Sequence, residues 1–161
     1  MKKSKIIILC PHPDDEIFTF PFINNLSKDE HEISALFFTG SVIRRKEAKR
    51  SCERLGWQSL FALDFGLVLQ DSLLHKQSKE LSDFIKLVFD NYELVLSPAL
   101  EGGHHDHDTI SLITICIALQ ENTEKVYFYP TYTAWGKLGL FSVMSENHYC
   151  NKIFIKKSSN S

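Results

Sequence analysis

Two short segments of the chain concentrate side chains that can hold a metal ion. Residues 11–16 read PHPDDE and residues 101–108 read EGGHHDHD, and together they contain four of the seven histidines. Imidazole and carboxylate groups suit zinc and similar divalent ions, and a catalytic zinc typically has three protein ligands and one open position. Neither segment completes such a site alone. Two ligands from the first and one from the second would form an open site of two histidines and one aspartate.

The spacing within each segment predicts a division of roles. His12 and Asp15 are three residues apart, close enough to bind one ion across a strand-to-helix turn, and Asp14 between them would stay free as a base. His104 and His107 are also three apart, so one can bind the ion while the other faces a substrate. Each segment also has a simpler explanation, since an aspartate after a strand is often only a helix N-cap and a histidine-rich tract is often a solvated loop.

The rest of the chain alternates between short apolar runs, typical of strands, and helical patterns. Strands are predicted at residues 5–10, 32–39, 60–65, 92–97, 125–129 and 151–156. Helices are predicted at residues 15–28, 44–56, 79–91 and 109–120. Pro21 lies inside the first helix, which predicts a kink or a late start there. The alternation predicts an α/β fold, with a doubly wound, mainly parallel sheet and helices on both faces.

The predicted sheet gives the two segments a common location. Ligands of doubly wound sheets bind at the carboxyl ends of the strands. Residues 12–15 directly follow the first predicted strand, and residues 104–108 follow the strand predicted at 92–97 after a short loop. A helix cap or a solvated loop does not require this coincidence. The joint placement therefore favours a metal site over the simpler explanations.

Length and charge limit the class of protein. The 161 residues fit one domain, and 43% of them are hydrophobic, which is enough for a core. Eighteen Lys and Arg against 20 Asp and Glu give a formal net charge of -2, which argues against a basic nucleic-acid-binding protein. No apolar run approaches the ~20 residues of a transmembrane helix, and the start lacks the roughly 7–15 apolar residues of a signal peptide. We therefore predict a cytoplasmic protein without a transmembrane segment.

Taken together, the two segments resemble the motifs of the PIG-L/LmbE-like family of zinc-dependent de-N-acetylases. Members of this family carry an HPDDE motif and a later HPDH motif on a Rossmann-like sheet, and they remove the acetyl group from N-acetylglucosaminyl substrates. The resemblance covers about the first 130 residues. It implies a single domain of this family over residues 1–161, short at its C-terminus, where elements that complete the sugar pocket in relatives are reduced.

The resemblance implies a role for each residue of the two motifs. His12, Asp15 and His107 match the metal ligands of the family, with zinc as the expected ion and iron or another divalent metal as the alternative. Asp14 matches the general base. His104 matches the histidine that stabilises the oxyanion or protonates the leaving amine.

Two further features of the chain fit the same resemblance. Asp106 matches the aspartate that orients the catalytic histidine of the second motif. Residues 44–47 (RRKE), followed by Leu55 and Gly56, are similar to the RxxE…LG helix of the family, whose arginine often faces the substrate. Arg44 is therefore predicted to bind substrate, and an arginine there would favour one that carries phosphate or carboxylate.

The activity that this resemblance implies is hydrolysis of the N-acetyl amide of a small N-acetylglucosamine-containing molecule by zinc-activated water. Asp14 would deprotonate the water, and His104, as an imidazolium, would stabilise the oxyanion and then protonate the departing amine. The products would be acetate and a free amine.

Two alternatives stay open from the sequence. One is an amidase that acts on another N-acyl sugar conjugate. The other is a non-catalytic member of the fold that only binds a metal or a sugar. Bulky residues at positions 18–22 (FTFPF), where the family has glycines, and the short C-terminus motivate this second alternative. Association into homo-oligomers is equally open.

Overall fold

A five-stranded sheet forms the centre of the structure, a computed structural model that describes residues 3–23, 26 and 30–131. The strands are β1 (Ser4–Cys10), β2 (His31–Phe37), β3 (Gln58–Phe61), β4 (Leu94–Pro98) and β5 (Val126–Tyr129). Their order in the sheet is β3-β2-β1-β4-β5, and every neighbouring pair is parallel. The predicted parallel α/β sheet is therefore confirmed.

Helices connect the strands, as the alternating pattern predicts. The α-helices are α1 (Phe20–Ile23), α2 (Val42–Leu55), α3 (Ser78–Phe89) and α4 (His105–Gln120). Short 3-10 helices lie at Asp15–Thr19, Ala62–Phe65 and Leu74–Gln77. Within the part of the chain that the structure describes, no helix is both long enough and apolar enough to cross a bilayer.

Most boundaries differ from the sequence prediction by one or two residues, and the larger differences have physical reasons. The first helix begins as a 3-10 turn, and α1 starts only at Phe20, so Pro21 falls in the first turn, where its missing N–H is tolerated. β3 covers Gln58–Phe61, where its backbone pairs with β2, and residues 62–65 of the predicted strand form a 3-10 helix instead. α4 starts four residues earlier than predicted because the side chain of His104 caps it. The strand predicted at 151–156 lies outside the described residues.

The helices cover both faces of the sheet, and β1 shows this most clearly. Ile7 and Leu9 belong to the hydrophobic cluster that contains residues of α3 and α4. Ile6 and Ile8 point the other way, into the cluster that contains Ala48 of α2. All four β1 side chains are at most 2% exposed. A strand buried on both faces reads as a continuous apolar run, and that run is what predicts it in the sequence.

The strand order creates a switch point between β1 and β4. The chain builds outward from β1 to β2 and β3 on one side, and the second half, β4 and β5, lies on the other side. Loops that leave the carboxyl ends of β1 and β4 therefore diverge to opposite faces and open a crevice, where ligands of such sheets bind.

The cluster under α3 and α4 provides a test of this architecture. Leu81 of α3 is fully buried, whereas Leu87 on the same helix is 61% exposed. We expect Leu81→Ala to lower the free energy of unfolding by about 2–5 kcal/mol, since it leaves a cavity in the core. Leu87→Ala removes the same atoms from the surface and should change it by only about 0.5 kcal/mol or less. Urea denaturation of both variants measures the difference, and equal losses would contradict the orientation of α3.

Candidate metal centre and active site

The carboxyl ends of β1 and β4 bring the two histidine- and aspartate-rich segments together. His12 and Asp15 follow β1 directly, and His107 lies in the first turn of α4, which follows β4 after a short loop. The exposed fractions of these three residues are 7%, 2% and 2%. The side chains predicted as metal ligands thus lie in the crevice at the switch point, almost entirely shielded from solvent.

The three side chains approach one another closely. Nδ1 of His12 lies 3.3 Å from Nε2 of His107. The Asp15 carboxylate faces both rings, with Oδ2 at 3.5 Å from Nδ1 of His12 and Oδ1 at 3.4 Å from Nε2 of His107. Two atoms that each lie about 2.0–2.1 Å from a tetrahedral zinc ion are about 3.3 Å apart. The spacing of the three groups therefore fits one ion of this size.

Hydrogen bonds on the far side of each ring direct a lone pair toward this point. Nε2 of His12 lies 3.1 Å from Oδ2 of Asp106, and Nδ1 of His107 lies 3.0 Å from Oγ1 of Thr131. A ring that donates a proton at one nitrogen presents a lone pair at the other. Two lone pairs that face each other at 3.3 Å repel unless a cation or a proton lies between them. The residues present therefore fit a divalent metal ion.

Without a metal ion, a proton takes that position. Burial opposes a charge on His12, but hydrogen bonds to Asp106 and Asp15 and the negative charge of Asp15 outweigh it and raise the pKa of His12 to about 9. Burial lowers the pKa of His107 below its ordinary value. His12 thus carries the proton and His107 accepts it. Metal binding must displace this proton, as it does wherever a ligand is protonated in the metal-free protein.

His104 is close enough to be considered as an alternative third ligand. Nitrogens of His12, His104 and His107 all lie within 4.8 Å of one another. However, Nδ1 of His104 accepts a hydrogen bond from the backbone N–H of Asp106 at 3.2 Å, and this bond caps α4. A ring that accepts at Nδ1 carries its proton on Nε2, which then donates and does not coordinate. This geometry favours Asp15 as the third ligand and leaves Nε2 of His104 as the nitrogen that can donate.

The main contact of the Asp106 carboxylate differs from the predicted one. The sequence predicts that its carboxylate orients His104, but the contacts of the carboxylate are with the ring of His12 and with the N–H groups of Ser72 at 2.7 Å and Leu74 at 3.1 Å. The bond to His104 comes instead from the Asp106 backbone. Burial raises the pKa of the carboxyl, but these hydrogen bonds outweigh it and lower the pKa overall. The ionised Asp106 therefore orients His12.

Three residues that the motif spacing does not mark also support the site. Oδ1 of Asp71 lies 3.4 Å from Nε2 of His12, and its side chain is 56% exposed. Thr131, which faces His107, donates through its backbone N–H and its hydroxyl to the carboxylate of Glu101 at 3.2 Å. Asp71 and Thr131 come from loops without a motif, so no pattern in the sequence marks them. Glu101 lies in the second segment, but its spacing gives no reason to assign it this contact.

Asp14 and Arg44 form a separate pair at the edge of the site. Nη2 of Arg44 lies 2.7 Å from Oδ2 of Asp14 and 2.8 Å from the carbonyl oxygen of Pro13. The side chain of Asp14 is 73% exposed, in contrast to that of Asp15 next to it at 3%. Partial desolvation raises the pKa of Asp14, and the positive charge of Arg44 offsets part of that rise. Asp14 is therefore accessible to water, with one carboxylate oxygen paired to Arg44.

The remaining polar residues of the second segment lie elsewhere. His105 is exposed, with its ring centroid 6.0 Å from that of His75. Oδ1 of Asp108 accepts hydrogen bonds from the backbone N–H groups of Glu101 and Gly102 at 3.1 and 3.0 Å. These contacts hold the loop between β4 and α4 in shape. Neither residue belongs to the cluster around His12.

Solved structures with the same fold support this arrangement of the chain. The match to a conserved protein from Thermus thermophilus has a TM-score of 0.59 at 18% identity and covers 78% of this chain and 66% of that one. A triple mutant of a deacetylase from the teicoplanin biosynthetic pathway gives 0.65 at 18%, covering 81% and 65%. The zinc-inhibited form of teicoplanin deacetylase Orf2 gives 0.64 at 16%, covering 79% and 67%. At these identities the likeness establishes the fold, and the chain spans about two thirds of each neighbour.

Sequence comparison identifies the family. No curated protein sequence matches the chain significantly. The family profile described as PIG-L, GlcNAc-PI de-N-acetylase, matches residues 7–118, which is more than half of the chain and includes both histidine- and aspartate-rich segments. The protein therefore belongs to the PIG-L family.

Proposed function

We propose that this protein is a metal-dependent hydrolase that removes the N-acetyl group from a small N-acetylglucosamine-containing molecule. The observation that carries the proposal is the buried group of His12, Asp15 and His107, whose nitrogen and oxygen atoms lie within 3.5 Å of one another. Family membership supports it, as do structural neighbours that are described as deacetylases. A single domain and a cytoplasmic location remain predictions from the sequence.

In this proposal the ion is bound by His12, Asp15 and His107. Zinc is the expected ion, and iron is the alternative. A divalent ion there would polarise the acetyl carbonyl and lower the pKa of water. Asp106 and Thr131 keep the two imidazoles in the tautomers that leave their inward nitrogens free. The ligand group thus needs no rearrangement of its rings when an ion binds.

Asp14 and His104 carry the proton chemistry. Asp14 accepts a proton from the attacking water as the bond to the acetyl carbon forms. Nε2–H of His104 donates to the oxygen on which negative charge develops. When the carbon–nitrogen bond breaks, the protonated Asp14 returns its proton to the amine, so that water and amide become acetate and free amine. A neutral His104 can fill this role, and an imidazolium is not required.

The exposed carboxylate of Asp14 favours hydrolysis over the non-catalytic alternative. Hydrolysis needs a base that water can reach, whereas a site that only binds a metal or a sugar does not. Which N-acyl sugar is used depends on the aglycone pocket, so both N-acetylglucosaminides and other N-acyl conjugates belong in the acetate-release assay. Because one neighbour is described as a zinc-inhibited form, the assay should use one equivalent of zinc or of ferrous iron per chain, without excess.

Metal content tests the ligand group. We expect about one divalent ion per chain after loading and removal of excess, and loss of that ion in His107→Ala, since one of three protein ligands is gone. His105→Ala is the matched control, because this histidine is exposed and lies two residues away on the same helix. Elemental analysis by mass spectrometry measures all three proteins. No bound metal in the wild type, or equal loss in the control, would contradict the site.

Asp14→Asn tests the base. The amide keeps the size of the side chain but accepts no proton, so acetate release should fall on the order of 10²–10⁴-fold while metal content stays unchanged. Asp83→Asn, an exposed change on α3, should leave both unchanged. Continuous detection of acetate, beside elemental analysis, gives both values. Full activity of Asp14→Asn would remove this residue from the mechanism.

A further inference from the structure

Asp14 has a positive φ, which few residues other than glycine, asparagine and aspartate adopt. Its φ is 99° and its ψ is -17°, in the left-handed region that residues other than glycine rarely adopt. Such a conformation persists only where neighbouring groups hold it, and it is often found at functional sites. The contacts around Asp14 therefore indicate what keeps it there.

Arg44, a residue of α2, stabilises the turn that contains Asp14. Its Nη2 donates to the carbonyl oxygen of Pro13 at 2.8 Å and to Oδ2 of Asp14 at 2.7 Å. One guanidinium nitrogen thus binds both the peptide that precedes Asp14 and its carboxylate. The same group therefore fixes both the backbone conformation and the side-chain direction of Asp14. Oδ1 of Asp14 is left for another partner.

Glu16 stabilises the same turn through its carboxylate. Its Oε2 accepts the backbone N–H of Asp14 at 2.9 Å, and the residue is only 4% exposed. Ser51 of α2 hydrogen bonds to the Glu16 side chain. Pro13 also packs on Gly40, where a Cβ would lie 2.6 Å from Cγ of the proline. The turn is therefore held at its carbonyl, its N–H and its carboxylate.

We propose that Arg44 and Glu16 are positioning residues that keep Asp14 in its left-handed conformation and aim its carboxylate at the reacting water. This rests on the proposed function only in treating Asp14 as the base. It assigns Arg44 a task different from the substrate binding that the sequence predicts. The PHPDDE segment then contains its own support, because Glu16, the last residue, fixes Asp14 two positions earlier.

Kinetics separate positioning from substrate binding. In Arg44→Ala, kcat should fall about 10- to 100-fold with KM little changed, since a misdirected base affects the reaction and not the binding of sugar. The fall should be equal for a neutral N-acetylglucosaminide and for one that carries phosphate. Arg44→Lys, which keeps one donor, should recover part of the rate. Arg50→Ala, an exposed change on the same helix, is the control and should match the wild type.

A double variant checks that Arg44 acts through Asp14. In the Asp14→Asn background, Arg44→Ala should reduce the residual rate no further, because no base remains to be aimed. A rise in KM confined to the phosphate-bearing substrate, with kcat intact, would instead make Arg44 a substrate-binding residue and overturn this part of the proposal. Additive losses in the double variant would overturn it as well.

Hydrogen exchange gives a readout that does not depend on turnover. Glu16→Ala and Arg44→Ala should each speed exchange of the Asp14 amide, which loses its acceptor or its fixed turn, while Glu16→Gln, which keeps an acceptor oxygen, should change it less. Amides of β1, followed in the same spectra, report whether the variants stay folded. Unchanged exchange at Asp14 in both alanine variants would overturn the proposal. If the wild type releases no acetate, the proposed function fails, and exchange still decides the positioning.

Discussion

The approach of two imidazole nitrogens in a buried crevice is the constraint on which the rest of the site depends. Nδ1 of His12 and Nε2 of His107 face each other at 3.3 Å, with the Asp15 carboxylate beside both. Two inward lone pairs at this distance repel each other, so a proton or a cation must lie between the nitrogens. Both rings must also keep their outer nitrogens protonated, and this requirement explains why Asp106 and Thr131 lie where they do.

The strand order of the sheet brings these two rings together. β1 and β4 are neighbours although more than 80 residues separate them in the chain, and the segment after β1 contains His12 and Asp15 while the segment after β4 contains His107. The residues that fix the outer ring contacts follow other strands at the same edge of the sheet. Ser72 and Leu74, after β3, hold Asp106, and Thr131, after β5, holds His107. Segments that follow β1, β3, β4 and β5 therefore all reach the site, so that packing of the core and orientation of the rings are coupled.

The sequence predicts the parts of this arrangement that are local. Buried strands appear as apolar runs, and ligands at a spacing of three residues appear as a motif. The supports are harder to predict because they are contacts between distant segments and frequently use the backbone. The N–H of Ser72 carries no side-chain signal, and Thr131 is an ordinary threonine after a strand. His104 shows the same limit, since the hydrogen bond that fixes its tautomer is also the cap that starts α4 before the apolar pattern begins.

The two adjacent aspartates of the first motif show how backbone conformation separates identical side chains. Asp15 begins the 3-10 helix and is buried against the histidines, while Asp14 precedes it with a positive φ and turns its carboxylate to the open side. Asp15 thus lies against the two histidines, while Asp14 pairs with Arg44 and stays accessible to water and substrate. The positive φ at Asp14 thus lets one short motif place one carboxylate in the buried cluster and the other at an exposed position.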